Sequence, residues 1–464
     1  MSMDCFVDSA HSDENAIVIT PVTREGLDDW MSRASGQQGR WVKEHDFEAS
    51  PARFLTIPDE SGRIATVLVA TTDPASVFSL GDLPAALPAG SVCRLEGNFD
   101  VLTVTRLALG WALGSYRFDR YRKNNKEPAR LIAPPEANME RVQAIAESIC
   151  LGRDLVNTPA EDMGPQELVE AVAQIAAAAA AELRVIEGQD LLDQNFPTIH
   201  TVGRASHRPP RLADMTWGDP DAPKVTLVGK GVCFDSGGLD LKPAAGMKMM
   251  KKDMGGAASA IALAAMIMRL KLPVRLRLLI PAVENSVSGN AFRPLDVITT
   301  RKGITVEIGN TDAEGRLILC DALAEACSET PDLLIDLATL TGAARVALGP
   351  DIPAFFCNDD KLAADIAEHG KGSEDDVWRL PLWPAYRKMI EGDVAELNNA
   401  GTGPGAGAIT AALFLERFVD DGVSWAHFDI MGWNLSGKPG RPKGGEVMAV
   451  RGLLEMIEQR YRKA

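Results

Sequence analysis

Carboxylates, amines and one guanidinium fall at three points of this chain in spacings that suit hard-cation chemistry. The first is Gly229-Lys230-Gly231-Val232-Cys233-Phe234-Asp235-Ser236-Gly237-Gly238, which follows a strand-like run at 224–228 and reads as a glycine-rich loop. Glycines there let the backbone come close to a ligand. A phosphate loop of the GxxxxGK[ST] type needs its lysine at the far end with Ser or Thr after it, and this run lacks that order. The second is Lys242-Pro243 followed by Met247-Lys248-Met249-Met250-Lys251-Lys252-Asp253-Met254-Gly255-Gly256, leading into a helix of small residues from Ala257. Asp253 stands just ahead of that helix, where capping is the ordinary role of an aspartate. The third is Ile308-Gly309-Asn310-Thr311-Asp312-Ala313-Glu314-Gly315-Arg316, between a strand-like run at 304–308 and a helix over 317–327. Two carboxylates two residues apart can turn toward one ion, although an acidic turn is by itself most often a solvated loop. Hard divalent cations take oxygen ligands, and paired ions about 3.5–4 Å apart are held by shared carboxylates. The six histidines offer no HExxH or other paired spacing, so a His-built zinc site is not supported. An acid-rich di-metal hydrolase uses everything these segments present.

The elements around those residues imply how they are positioned. From about Gly164 onward, helical stretches alternate with apolar runs at 224–228, 274–283, 333–337 and 423–430. Such alternation predicts a mainly parallel sheet flanked by helices, with ligands collecting beyond the carboxyl ends of the strands. Residues 15–133 mix β-rich runs at 16–22, 63–70 and 100–107 with turn residues and carry no chemical cluster, which reads as a smaller N-terminal α/β domain. After Ala133-Pro134-Pro135, apolar residues Met139, Val142, Ile145 and Ile149 recur at helical spacing. They mark a helix to about Asn157, stopped by Thr158-Pro159. The division expected is 1–135 for the N-terminal domain, 136–160 for a connector helix and 161–464 for the domain that carries the chemistry.

A net charge of −16 disfavours nucleic acid or an anionic membrane as the main partner. The seven cysteines are scattered without a CxxC or zinc-type spacing, so they read as buried thiols of a reducing compartment. Residues 1–14 are acidic and lack the basic and apolar regions of a signal peptide, and no apolar stretch reaches transmembrane length. A cytoplasmic protein is the expectation.

The peptide Asn310-Thr311-Asp312-Ala313-Glu314-Gly315-Arg316-Leu317 resembles the signature of the leucyl aminopeptidase family of metallopeptidases. The segments 228–231, 234–238, 242–243 and 252–254 match that family in order and spacing, and 339–342, 405–410 and 427–430 resemble it as well. The resemblance covers about 136–464, whereas 1–133 match only by location, as a macro-like domain. It implies that Asp235 and Glu314 bridge two divalent ions, Mn or Zn with Mg or Co as alternatives. Lys230 and Asp253 would complete one site and Asp312 the other. A lysine ligand must be a neutral amine, held so by burial and the neighbouring dication. Lys242 would stay protonated and stabilise the oxyanion. Arg316 would hold a bicarbonate that takes the proton of a metal-bridging water, where on its type alone a salt bridge at a helix start also fits.

The implied reaction is release of N-terminal residues from peptides with a free α-amine. For the side-chain pocket the resemblance nominates Met250, Asn310, Thr339, Leu340, Gly342 and Met431, with Asn434 beyond and the bulky Trp433 beside them. Met250 and Met431 serve equally well as core filler on their types alone. The family also implies a homohexamer. Three other readings compete with an active peptidase. One is a nucleotide-dependent oxidoreductase, because Gly403-Pro404-Gly405-Ala406-Gly407-Ala408 fits GxGxxA ahead of a helix at 409–419, though without a convincing strand before it. The others are a two-metal phosphoesterase, which would use similar carboxylates, and a catalytically silent relative acting as a scaffold or regulator.

Overall fold

The computed structural model describes residues 4–8, 15–50, 53–122 and 126–462. By contacts the chain divides into one unit of Met1–Cys150 with Ser436–Lys443, and another of Leu151–Leu435 with Gly444–Ala464. Among the described residues of the first unit, six strands form one sheet in the order Phe6–Val7, Arg130–Ile132, Val92–Leu95, Ile17–Val22, Ile64–Ala70 and Phe54–Pro58. All neighbours are parallel except the last pair. The β-rich run expected at 100–107 is instead part of a helix, Val101–Gly114. Its β-branched residues favour a strand locally, but Asp100 caps the helix by accepting a bond from Thr103 N at 2.7 Å. Val104, Leu107, Ala108 and Trp111 then form one buried helical face, and that tertiary burial overrides propensity.

The helix Met139–Asn157 carries the chain onward into the second unit. There a nine-stranded sheet runs Trp378–Arg379, Ala354–Cys357, Trp425–Asp429, Leu333–Ala338, Lys224–Gly229, Arg275–Asn285, Arg211–Trp217 and Glu182–Glu187, with Gly231–Asp235 also pairing Arg275–Asn285. Its four central strands are parallel neighbours. They are near-continuous apolar runs because both faces are covered: every position of Leu333–Ala338 and of Trp425–Asp429 is buried.

Packing against this sheet fixes where the site can form. The helix Gly255–Arg269 is buried at every position from Gly255 to Met268. Its Ile261, Leu263 and Ile267 are fully enclosed, each stabilising the fold by about 1.5–3 kcal/mol. Gly256 permits the approach, since a Cβ there would stand 2.1 Å from the Leu337 carbonyl oxygen. Two local expectations change. Much of the glycine-rich run after Gly229 is a strand, Gly231–Asp235, parallel to Arg275–Asn285 with a register irregularity between Val232 and Phe234. The helix expected from 317 begins three residues earlier, as Glu314–Cys327, so Glu314 is its first residue. All seven cysteines are buried, and none is in a disulfide.

Candidate active site

The charged residues singled out in the sequence come together beyond the carboxyl ends of the central strands. Lys230 directly follows the strand Lys224–Gly229 and is clamped there, its N–H donating to Leu337 O at 3.0 Å and its carbonyl accepting from Ala257 N at 2.9 Å. Asp235 ends the strand Gly231–Asp235, and its Oδ1 accepts from Gly237 N and Asn285 Nδ2, both at 2.9 Å. The loop before Glu314–Cys327 is tied at several points. Asn399 Oδ1 accepts from Gly309 N at 2.7 Å, Asn310 Oδ1 accepts from Asp312 N at 2.8 Å, and Thr311 Oγ1 donates to Gly237 O at 2.6 Å. These bonds present Asp312 and Glu314 on a fixed backbone.

Ligand atoms of Asp235, Asp312 and Glu314 all lie within 4.8 Å of one another. Lys230 Nζ stands 2.7 Å from Asp253 Oδ2 and 3.0 Å from Glu314 Oε1, and it donates to Thr339 O at 3.0 Å. Lys242 Nζ is 2.7 Å from Asp235 Oδ2 and also pairs with Asp312. Asp253 is not a helix cap. Met254 occupies the cap position of Gly255–Arg269 without a side-chain bond, while Asp253 pairs with Lys230 and accepts from Thr339 Oγ1 at 2.9 Å. Gly315 is required beside this cluster, because a Cβ there would meet Lys230 Cε at 2.5 Å.

The electrostatics are those of crowded buried charge. Burial, with the charges of Asp235 and Asp253 added, raises the Glu314 carboxyl to about 8 against the opposing lysines. Burial and Asp235 raise Asp312 to about 6, with Lys242 opposing. Burial alone would lower the lysines, but the surrounding carboxylates outweigh it and hold Lys230 and Lys242 above their ordinary values. Arg316 is enclosed, which lowers its guanidinium to about 10 despite Glu314 and Asp429, and its Nε and Nη1 have no hydrogen-bond partner. Glu314 Oε2 likewise has none. Such orphaned buried groups fit a site that binds ions: carboxylate oxygens for hard cations and a guanidinium for an anion.

One cavity of about 510 Å³ is lined by all of these charged residues and by the six side-chain pocket candidates Met250, Asn310, Thr339, Leu340, Gly342 and Met431. Asn434 departs from its expected place. It is buried and donates to Glu446 Oε2 at 2.8 Å, and Trp433 packs under the Lys251 ammonium, 5.4 Å from its ring centre. Neither of the two lines the cavity. The GxGxxA segment does contribute to the cavity wall through Gly403, Gly405 and Gly407, but only the two-residue strand Leu397–Asn398 precedes it.

Sequence reasoning assigned no role to four residues around the site. Lys252 and Arg345 line the cavity. Behind it, Asp336 accepts from Trp425 Nε1 at 2.8 Å and pairs with His427 Nδ1 at 2.6 Å, all three fully buried. Burial lowers the affinity of His427 for a proton, but Asp336 more than restores it and raises the pKa. An aspartate inside the apolar run 333–337 was the available signal for that pair, since a lone buried carboxylate needs a partner.

Comparisons with known proteins agree with this geometry. Residues 150–454 match the family described as "Cytosol aminopeptidase family, catalytic domain", and residues 17–134 match "M17 aminopeptidase, N-terminal domain". A protein of Syntrophotalea carbinolica named "Probable cytosol aminopeptidase" is 41% identical over 400 residues, covering 82% of this chain and 78% of that one. The crystal structure of the cytosol aminopeptidase from Coxiella burnetii is 49% identical with a TM-score of 0.94, covering 99% of this chain and 100% of that chain. The bottromycin maturation enzyme BotP in complex with Mn is 34% identical with a TM-score of 0.87, covering 97% and 100%. The class these matches define is the aminopeptidases, hydrolases of the peptidase kind. The chain belongs to the cytosol aminopeptidase family, the leucyl aminopeptidase family that its motifs resemble. Among the described residues, no helix is long and apolar enough to cross a membrane.

Proposed function

We propose that this protein is a di-metal aminopeptidase that releases single residues from the free N-terminus of peptides. The observation that carries the reading is the convergence of Asp235, Asp312 and Glu314 within 4.8 Å, with Lys230 and Asp253 attached to the same cluster. Three carboxylates so close repel one another, and divalent cations relieve that repulsion. Asp235 and Glu314 would hold both ions, Lys230 and Asp253 one of them, and Asp312 the other. The ions are Mn or Zn, with Mg or Co also able to occupy an oxygen-rich site; the BotP relative described with Mn supports the first. Bound there, they supply a water acidified toward neutrality and an electrophile for the scissile carbonyl.

The chain's own residues do the rest. Lys242, beside Asp235 and Asp312, would keep its proton and donate to the oxygen of the carbonyl under attack. Arg316 offers its unpartnered Nε and Nη1 to a small oxyanion; bicarbonate held there would supply a base for the nucleophile's proton. The metal site that Lys230 and Asp253 would complete is where the substrate's free α-amine would bind, so blocked peptides would be poor substrates. Met250, Asn310, Thr339, Leu340, Gly342 and Met431 surround the side chain of the departing residue. The enzyme works in the cytoplasm as a homohexamer, a reading supported by the family.

The test is hydrolysis of an unblocked aminoacyl p-nitroanilide panel with added Mn²⁺, beside N-acetylated compounds, the Asp312→Ala variant and EDTA-treated enzyme. Cleavage limited to free amines and lost in both controls is expected. Failure to cleave the whole panel, and peptides tested after it, would overturn the proposal in favour of a silent scaffold.

A further inference from the structure

Two cations on the wall of the active-site cavity, the buried Lys252 and the exposed Arg345, form no ion pair among the described residues. Lys252 is 5% exposed, yet among the described residues its ammonium makes no hydrogen bond or ion pair, and it lines the cavity. Arg345, on the short helix Gly342–Leu348, lines the same cavity. Its one polar contact among the described residues is Nη1 to Met431 Sδ at 3.3 Å, a weak acceptor.

The neighbouring carboxylates are committed elsewhere. Asp253 pairs with Lys230. Asp429, on the same wall, accepts from Leu340 N at 3.1 Å, Thr341 N at 3.0 Å and Thr341 Oγ1 at 2.6 Å. A buried lysine without a partner costs stability unless something fills its place, and a guanidinium held against a thioether is poised for a better acceptor.

We infer that Lys252 and Arg345 form an anion-binding subsite for the side-chain carboxylate of an N-terminal glutamate or aspartate, making the enzyme selective for acidic residues. The inference rests on the aminopeptidase reading in one respect: the α-amine is placed at Lys230 and Asp253. Lys252 is the chain neighbour of Asp253, Arg345 touches Met431, and both line the cavity beside the other side-chain pocket candidates, which puts the subsite on the side of the residue being released. The C-terminal carboxylate of a dipeptide lies on the other side of the scissile bond. Recognition is by the guanidinium fork and a close ammonium, chemistry that a neutral amide of equal shape cannot reproduce.

The experiment compares glutamyl with glutaminyl p-nitroanilide, and aspartyl with asparaginyl, in the Mn²⁺-loaded enzyme. These pairs match in shape, and the anilides carry no C-terminal carboxylate. A charge-assisted contact of this kind corresponds to about tenfold in kcat/KM for Glu over Gln. Arg345→Gln and Lys252→Met should each cut that ratio several-fold and together bring it to about one. Because the ratio compares two substrates on the same preparation, partial misfolding does not move it. Calorimetric binding of free glutamate against free glutamine reads the same difference without turnover. A wild-type ratio at or below one, or a ratio that neither variant moves, overturns the inference. Absence of cleavage across neutral and acidic anilides alike sinks the peptidase reading instead, and the glutamate binding difference then decides the subsite alone.

Discussion

Replacing Glu314 by Gln separates what the site needs for folding from what it needs for chemistry. Glu314 is 1% exposed, and its carboxyl is raised from 4.5 to about 8 by burial and by Asp235. A folded-state pKa above the unfolded one means that the metal-free fold is most stable with this group protonated. Stability is therefore fully present below about pH 4.5 and is lost as pH rises through about 8. At about 1.4 kcal/mol per decade of proton affinity, the loss above pH 8 is on the order of 5 kcal/mol. Glutamine keeps the volume and removes the charge, and the raised value is already net of the attraction to Lys230 at 3.0 Å. The net expectation is a metal-free variant more stable than the wild type by on the order of 5 kcal/mol near pH 9, with little difference near pH 4.5. For a unit of this size that is a rise of about 8 °C in Tm. The assay is thermal unfolding of EDTA-treated wild-type and Glu314→Gln protein across pH, with Mn²⁺-dependent activity in parallel; activity should be abolished. A variant less stable than the wild type near pH 9, or a difference that does not grow with pH, would refute the reasoning.

Three other outcomes are expected. Binding of Mn²⁺ near pH 7 should release about one to two protons, because Lys230 and Glu314 hold them in the metal-free site; calorimetry in buffers of different ionisation enthalpy measures this, and zero release would contradict it. Gly256→Ala drives a Cβ to 2.1 Å from the Leu337 carbonyl and 2.8 Å from Ala338 Cα, both backbone, so a loss of about 3 kcal/mol or more, read as a lower Tm, is expected. Asp336→Ala leaves His427 Nδ1 and Trp425 Nε1 without their acceptor and should destabilise by about 3–5 kcal/mol. Since the pKa of His427 is raised in the fold, its charged pairing is fully present below about 6.5 and fades as pH rises through the folded value. The penalty measured by thermal unfolding should accordingly be larger near pH 6 than near pH 9.

The central strands were legible because both faces of the sheet are covered, which leaves continuous apolar runs such as 333–337 in the sequence. The helix Met139–Asn157 was legible from its apolar period and the Thr158-Pro159 stop. Residues 100–107 misled because β-branched side chains were weighed without the Asp100 cap and the Trp111 face that place them in a helix. The strand Gly231–Asp235 was hidden by the glycines around it, which look like a loop until the edge of Arg275–Asn285 is present to pair with them.

By itself the sequence determined the fold class, the family and which charged residues are candidates for the chemistry, since residue type and spacing are local properties that the chain carries with it. Only the tertiary structure decided how those charges are shared. It turned Asp253 from a helix cap into the partner of Lys230 and directed Asn434 to Glu446, away from the cavity. It also set Lys252 and Arg345 on the cavity wall with no ion pair among the described residues. The physical reason is that an ion pair or an orphaned charge depends on which side chains from distant strand ends reach the same few ångströms, and on how much water remains there. Neither is encoded in any one segment.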